Sequence, residues 1–161
     1  HGELAHRISL VRPRQQRQLL GRDDGLRLRD VYVAAAVRCA PPDNKPLPDE
    51  RDRCAPYLHR EMALLTELRV IVALGAFAWQ AALHAVAALQ AVAPHQAVEA
   101  TSGALPRPHP RFGHGAEAPA GPYTLIGTYH PSQQNTFTGR LTAPMFDAVV
   151  RRARELAVSW P

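Results

Sequence analysis

Short apolar runs, separated by polar or proline-rich connections, divide the chain into candidate secondary-structure elements. Residues 30–37, 69–74 and 123–129 are rich in β-branched and aromatic side chains, and turn-forming residues follow each of them. Runs of this length and composition predict buried β-strands, because a strand that is covered on both faces is apolar along its whole length.

Three longer segments predict helices. Acidic residues open the first, which runs from Leu47 to about Leu65 and repeats apolar side chains at helical spacing. The second, residues 76–91, is apolar on most sides and should be largely buried, and the third, residues 145–156, is amphipathic. Because strands and helices alternate along the chain, we expect an α/β fold whose strands run parallel with right-handed crossovers.

A long connection, residues 93–122, is rich in proline, glycine and histidine. A connection of this length in a compact domain is usually functional or mobile. His109 and His114 could contact phosphate or a metal ion, but their spacing matches no zinc signature. We therefore expect both to be solvent-exposed loop histidines.

The most distinctive stretch runs from Tyr129 to Thr142 and is crowded with polar side chains between His130 and Arg140. It follows a predicted strand and precedes a predicted helix. Open α/β sheets place their ligand sites at this position, beyond the carboxyl ends of the strands. So many hydrogen-bonding groups are more than a turn requires, and they predict a loop that grips nucleic acid.

Composition adds a weaker argument in the same direction. The chain has 161 residues, 46% of them hydrophobic, which suits one domain with a real core. Its net charge of +5 favours a polyanionic partner, but Lys45 is the only lysine. A GC-rich genome would give the same excess of arginine, and we favour that explanation. The arginine-rich residues 1–29 could be a basic arm for nucleic acid, although a poorly ordered leader is the favoured interpretation.

Targeting signals are not evident in the sequence. No apolar run reaches the roughly 18 residues of a transmembrane helix, and the first residues lack the apolar region of a signal peptide. We therefore expect a cytoplasmic, nucleoid-associated bacterial protein. Cys39 and Cys54 carry no sign of an oxidising compartment, and such a pair is more often metal-binding or unpaired than disulfide-bonded.

The loop that follows the first predicted strand contains Asn44 among several prolines, which fix its shape. An asparagine amide carries a donor and an acceptor, and reading the edge of a base requires both. By its chemistry alone, Asn44 is better explained as an ordinary turn residue.

Three motifs resemble those of the iron–sulfur uracil-DNA glycosylases, and their residues are typical of the type-5 branch. They are residues 38–58 (RCAPPDNKPLPDERDRCAPYL), 74–79 (LGAFAW) and 129–142 (YHPSQQNTFTGRLT). The resemblance covers about residues 23 to 156. It divides the chain into an unmatched basic leader, residues 1–22, and a glycosylase-like domain, residues 23–161.

The resemblance implies a three-layer α/β/α sandwich with a central parallel sheet, and removal of uracil and other deaminated bases from DNA by hydrolysis of the N-glycosidic bond. It implies a [4Fe–4S] cluster held by four cysteines, of which Cys39 and Cys54 match the third and fourth. Asn44 matches the residue that hydrogen-bonds the flipped base, and His130 matches the histidine that faces O2 of the base. The residues that match the loop holding the DNA backbone are Ser132, Gln133, Asn135 and Arg140.

The first 22 residues depart from the family pattern. They contain no Gly-x-Ala-Pro motif, which in the family stacks the base and places a water-positioning acid nearby, and they contain no cysteine. The sequence therefore resembles the C-terminal two-thirds of a glycosylase. We expect a monomer that binds DNA, holds no intact cluster and excises uracil weakly or not at all. The alternatives are a non-catalytic DNA-binding remnant and a degenerate gene product.

Overall fold

The computed structural model describes residues 29–39, 41, 45–92 and 105–159. Residues 1–28 of the suggested basic arm (residues 1–29) and the proposed base-binding Asn44 lie outside the described residues. The strands are β1 (Val70–Leu74), β2 (Glu117–Ala120) and β3 (Tyr123–Thr128). The helices are α1 (Pro48–Leu64), α2 (Ala76–Val92), α3 (Gln133–Phe137) and α4 (Ala143–Val158). The three predicted long helices and the second and third predicted strands are confirmed.

The three strands form one sheet in the order β1-β3-β2. β1 and β3 are parallel, with Val72 opposite Ile126, as the alternation of strands and helices predicted. β2 runs antiparallel to β3, and its Glu117 also pairs with Ile126. β2 was not predicted; it lies in the long connection at residues 93–122 and contains Pro119. A proline cannot donate to the ladder, so it is tolerated at the edge of a sheet, where β2 lies.

The prediction of a buried strand at residues 30–37 was wrong. The structure has no strand there, and residues 31–35 are exposed, Val33 by 70%. A strand needs a neighbour for its backbone groups. Residues 31–37 have no such neighbour within the part of the chain that is described. Their apolar composition was therefore insufficient to make them a strand.

Helix α2 covers one face of the sheet because almost every side of it is apolar. Its Trp79, Leu83 and Val86 are fully buried and form one core with Ala73 of β1 and Leu125 of β3. Burying a side chain of the size of leucine contributes roughly 1.5–3 kcal/mol. The buried indole also satisfies its polar group, since Trp79 Nε1 donates to the carbonyl oxygen of Pro110 at 2.9 Å.

Helix α4 covers the other face. It contacts both β1 and β3. Consecutive residues of a strand point to opposite faces, so Ile126 faces away from the core that holds Leu125. Ile126 is buried, as are Phe146 and Val149 of α4. The parallel pair thus has helices on both faces, which makes this an α/β protein and directs its polar chemistry to the ends of the strands.

Among the helices in the described ranges, none combines the length and the hydrophobicity that crossing a bilayer would need.

Candidate active site

The carboxyl ends of β1 and β3 meet where Gly75 lies against His130. The Gly75 N–H donates to the carbonyl oxygen of Thr128 at 2.8 Å, which joins the two strand ends. Gly75 has a φ of +95°, and a Cβ at this position would lie 3.3 Å from Cβ of His130. A glycine is therefore needed for His130 to lie this close to the turn after β1. The His130 side chain is exposed at this edge, so a ligand can reach it.

Hydrogen bonds within the loop fix the backbone of His130. Its carbonyl oxygen accepts from Ser132 N–H and from Asn135 Nδ2, both at 2.8 Å. Ser132 Oγ accepts from Asn135 N–H at 3.3 Å and caps α3. Asn135 O in turn accepts from Leu141 N–H at 2.9 Å, and Leu141 is buried. The loop is therefore a rigid support for His130 rather than a free chain of polar groups.

These bonds divide the four predicted DNA-contacting residues into two kinds. Ser132 and Asn135 are half-buried and use polar atoms to hold the loop together. Gln133 and Arg140 are exposed. The Arg140 guanidinium lies 4.7 Å from the centre of the Tyr129 ring, a cation–π contact that orients it. DNA contact by all four residues stays a prediction.

The segment before β2 crosses closely over the end of β3. Gly115 N–H donates to Gly127 O at 2.7 Å, and Gly127 N–H donates to Ala116 O at 2.9 Å, so the ladder continues past β2. A Cβ on Gly127 would lie 2.3 Å from the carbonyl oxygen of Gly113. The absence of a side chain at Gly127 allows the segment to bring His114 to the strand end.

His114 also belongs to the site, although it was expected to be a solvent-exposed loop histidine. It is half-buried, and its Nδ1 accepts from Tyr129 N–H at 3.4 Å. Its ring stacks on that of Tyr129, with centroids 5.1 Å apart and planes inclined by 26°. Burial lowers the pKa of His114, which favours the neutral ring. The prediction of an exposed loop histidine was wrong for His114 and is confirmed for His109. The glycines on either side of His114 were the sequence feature that could have indicated a close approach of this segment to β3.

Arg38 attaches the segment that carries Cys39 to helix α1. Its backbone N–H donates to Cys54 Sγ at 3.4 Å, and its guanidinium pairs with Glu61. The same guanidinium lies 4.5 Å from the centre of the Tyr57 ring. Cys39 is exposed, Cys54 is half-buried, and both are free thiols. The structure thus brings the Cys39 segment against the helix of Cys54.

The donor set does not by itself fit a four-thiolate cluster. The chain has two cysteines in all. Among residues 29–39, 41, 45–92 and 105–159, no three histidine, cysteine or acidic side chains come together as metal ligands. The backbone donor to Cys54 Sγ is the kind of contact that tunes a metal-bound sulfur. Two thiols cannot complete a site that needs four thiolates.

The fold and the site together define a class of protein. This is an α/β protein with a rigid, polar, histidine-bearing loop at the carboxyl ends of its parallel strands, where such sheets bind ligands. The sequence model of the uracil DNA glycosylase superfamily matches residues 7–154. The chain belongs to that superfamily. The match begins within the predicted leader, and the boundary at residue 22 stays a prediction.

Curated relatives narrow the similarity. The chain is 47% identical to the type-5 uracil-DNA glycosylase of Mycobacterium tuberculosis over 136 residues, 83% of this chain and 45% of the relative. It is 46% identical to the type-5 enzyme of Thermus thermophilus over 135 residues, 83% of this chain and 54% of the relative. A type-4 uracil-DNA glycosylase of Archaeoglobus fulgidus is 44% identical over 57 residues, 35% of this chain and 28% of the relative. The chain spans about half the length of the type-5 relatives.

Proposed function

We propose that this chain carries the part of a DNA-repair active site that receives charge from a departing uracil. The observation that carries the proposal is the exposed His130, whose backbone is locked at the carboxyl edge of the parallel strands. The name shared by the relatives, uracil-DNA glycosylase, supports the same reaction. Deaminated bases other than uracil are included in the proposal.

The reaction is hydrolysis of the N-glycosidic bond. The C1′–N1 bond breaks, the base takes the bonding electrons, and the oxygen of a water molecule bonds to C1′ while its proton finally joins the base. The base must leave the stack to be reached, so the substrate is a flipped nucleotide. The negative charge on uracil spreads to O2, and a donor aimed at O2 stabilises it. We assign that donor to the His130 imidazole.

The remaining roles follow from the family resemblance. Asn44 hydrogen-bonds the flipped base. Gln133 and Arg140 contact the DNA backbone directly, since both are exposed on the loop. Ser132 and Asn135 contribute chiefly by holding the loop in shape. Their contact with DNA is secondary and uses the polar atoms that are not engaged within the loop. Arginine suits the contact with phosphate because its guanidinium presents several donors in one plane.

Cys39 and Cys54 are proposed as two of four ligands of a [4Fe–4S] cluster, with a structural role and no part in the reaction. The other two ligands would have to come from outside these 161 residues. The finer architecture proposed for the domain is a three-layer α/β/α sandwich with a parallel central sheet, built around the β1–β3 pair that has helices on both faces.

A single-turnover assay tests the proposal. The chain, purified without oxygen, is held in excess over an oligonucleotide with one uracil, so that slow excision is measurable. We expect slow excision that His130→Ala reduces by about 10²–10³-fold, as for removal of one charge-stabilising donor. Gln134→Ala, at an exposed position of the same loop that has no assigned contact with DNA, is the control and should change the rate little. Excision that His130→Ala leaves unchanged would refute the assignment.

A second candidate function is DNA binding without excision, which the exposure of Gln133 and Arg140 on one rigid loop favours. Fluorescence anisotropy with single-stranded DNA then separates the two. Binding that weakens with added salt and with Arg140→Ala, in the absence of excision, supports this candidate. If the chain neither binds nor excises, both candidate functions are contradicted.

Iron analysis of the same preparation should find no stoichiometric cluster, and a full complement of iron would overturn that expectation.

A further inference from the structure

The contact between His114 and Tyr129 has no role in the reaction proposed above. His114 reaches the carboxyl end of β3 from a different segment, across a crossing that leaves no room for a side chain at Gly127. It makes both a hydrogen bond to the Tyr129 backbone and a ring stack on the Tyr129 side chain. Two separate contacts from one residue to another restrain position and orientation together.

The hydrogen bond fixes where the proton of His114 lies. The Tyr129 N–H donates to Nδ1, so Nδ1 must carry a lone pair and the neutral ring must hold its proton on Nε2. The Thr128 hydroxyl lies 3.3 Å from the same Nδ1 and 3.3 Å from Tyr129 O. A proton added to Nδ1 would face the Tyr129 N–H, donor against donor. The contact therefore exists only for neutral His114.

Tyr129 connects this contact to both groups of the proposed site. Its peptide leads directly into His130, the proposed donor to uracil. Its ring carries the Arg140 guanidinium at 4.7 Å. The edge of Phe112 also meets this ring, with centroids 6.3 Å apart. A displacement of Tyr129 would therefore move the histidine and the arginine at the same time.

We infer that His114 is a positioning residue, which through Tyr129 holds His130 and Arg140 in the arrangement that engages DNA. The inference rests on the proposed function for its effect on DNA, whereas the local contact can be tested without DNA. His114 touches neither substrate nor reacting atoms in this account. It acts through Tyr129.

The charged groups around His114 are consistent with a neutral ring. Arg140 lies over the tyrosine that His114 stacks on, and His130 follows that tyrosine. On its own segment, Arg111 precedes His114, and the carboxylate of Glu117 is already engaged by Arg152 at 2.7 and 3.1 Å. Burial lowers the pKa of His114 as well. Protonation should therefore require acid conditions, and it should release Tyr129.

Nuclear magnetic resonance tests the local contact directly. Long-range proton–nitrogen correlation on the labelled full chain reports which ring nitrogen carries the proton. We expect His114 to show a protonated Nε2 and a bare Nδ1 near neutral pH, to titrate below the ordinary histidine range, and to shift the Tyr129 amide with the same midpoint. A proton on Nδ1, or a Tyr129 amide indifferent to that titration, would overturn the inference.

Two substitutions separate positioning from simple packing. His114→Asn offers an oxygen acceptor that does not titrate, whereas His114→Phe keeps a ring without the acceptor. For uracil-containing DNA, we expect His114→Asn to bind at pH 7 within about twofold of the parent, and His114→Phe to bind about tenfold more weakly, the equivalent of one hydrogen bond. The parent should lose affinity as His114 becomes protonated in acid, and His114→Asn should not show this loss. His109→Asn, at an exposed histidine, is the control.

The outcomes keep the inference and the proposed function apart. Equal binding by His114→Phe and the parent, with the same pH profile in both, would overturn the positioning role. If the parent chain binds no uracil-containing DNA, the proposed function fails. The proton position on His114 and the response of the Tyr129 amide then decide the inference without reference to DNA.

Discussion

Gly127 lies so close beneath Gly113 that a Cβ at position 127 would sit 2.3 Å from the Gly113 carbonyl oxygen. Real Cβ atoms do not approach a backbone oxygen this closely, so glycine at position 127 allows the segment before β2 to come this near to β3. This approach places His114 against Tyr129, and Tyr129 leads into the loop of His130. One backbone crossing therefore supports the candidate site.

Gly127→Ala should weaken both the fold and the site. The added methyl group meets backbone rather than a movable side chain, so the crossing must shift, at a cost of about 1–3 kcal/mol in the free energy of unfolding. Urea unfolding measures that cost, and the Tyr129 amide resonance reports the displacement. Gly113→Ala is the matched control, because its Cβ would meet only Ala116 Cβ at an ordinary 3.5 Å. Equal stability of the two variants would contradict this account of the crossing.

Asn135→Asp should disturb His130 without touching it. The substitution removes the Nδ2 donor to the His130 carbonyl oxygen and turns a carboxylate toward that oxygen. We expect the free energy of unfolding to fall by about 1 kcal/mol. The affinity for uracil-containing DNA should fall by a larger fraction than the free energy of unfolding does. Gln134→Glu makes the same change of charge at an exposed position of the loop that has no assigned contact with DNA. If both variants lose affinity equally, charge repulsion rather than loop geometry explains the effect.

Arg38→Ala should expose the thiol of Cys54. The guanidinium of Arg38 holds its segment on α1 through Glu61 and Tyr57, and the backbone N–H of the same residue covers Cys54 Sγ. The ion pair is partly exposed, so its loss should cost less than about 1 kcal/mol of stability. The reaction of Cys54 with a thiol reagent should nevertheless become faster. Arg53→Ala, which breaks an exposed pair with Asp49, is the control, and an equal acceleration there would contradict the anchoring role of Arg38.

The ion pair between β2 and α4 should make stability depend on pH. The hydrogen bonds from Arg152 lower the pKa of Glu117 below its ordinary value of 4.5. A carboxyl group whose pKa is lowered by folding stabilises the fold above the pKa it has in the unfolded chain. That stabilisation is lost as the pH falls below about 4.5 and through the lower pKa of the folded protein.

Arg152→Gln should remove this part of the acid dependence. Melting temperatures of the parent and Arg152→Gln should differ at pH 6 and converge as the pH falls to 3. The difference in stability at pH 6 should be smaller than the change caused by Gly127→Ala. Arg151→Gln, at the neighbouring exposed arginine, should follow the parent throughout. A constant difference between the parent and Arg152→Gln at every pH would exclude Glu117 as the titrating partner.

The parts of the fold that could be predicted are those with a local signal. The period of apolar residues identified α1, α2 and α4, and runs of β-branched residues identified β1 and β3. β2 had no such signal, because Pro119 and its neighbours form a strand only through pairing with β3. Residues 30–37 had the opposite problem. Their side chains suit a strand, but the described chain offers their backbone no partner.

The same distinction applies to the site. The loop that carries His130 could be placed in advance because it follows a strand directly, and the carboxyl ends of parallel strands share one edge, whereas the role of His130 comes from the family resemblance and stays a prediction. Its closeness to Gly75 then follows from the sheet. His114 could not be located, since its position depends on the crossing of Gly113 over Gly127. Asn44 lies outside the described residues, and its role stays a prediction.

The role of His130 can be tested most directly by varying the leaving base. 5-Fluorouracil is more acidic than uracil, so its departing anion needs less stabilisation by a donor at O2. Single-turnover excision rates of the two bases should therefore be measured for the parent chain and for His130→Ala. We predict that His130→Ala slows uracil excision by about 10²–10³-fold and slows 5-fluorouracil excision distinctly less. An equal loss for both bases would contradict the claim that His130 stabilises the departing base.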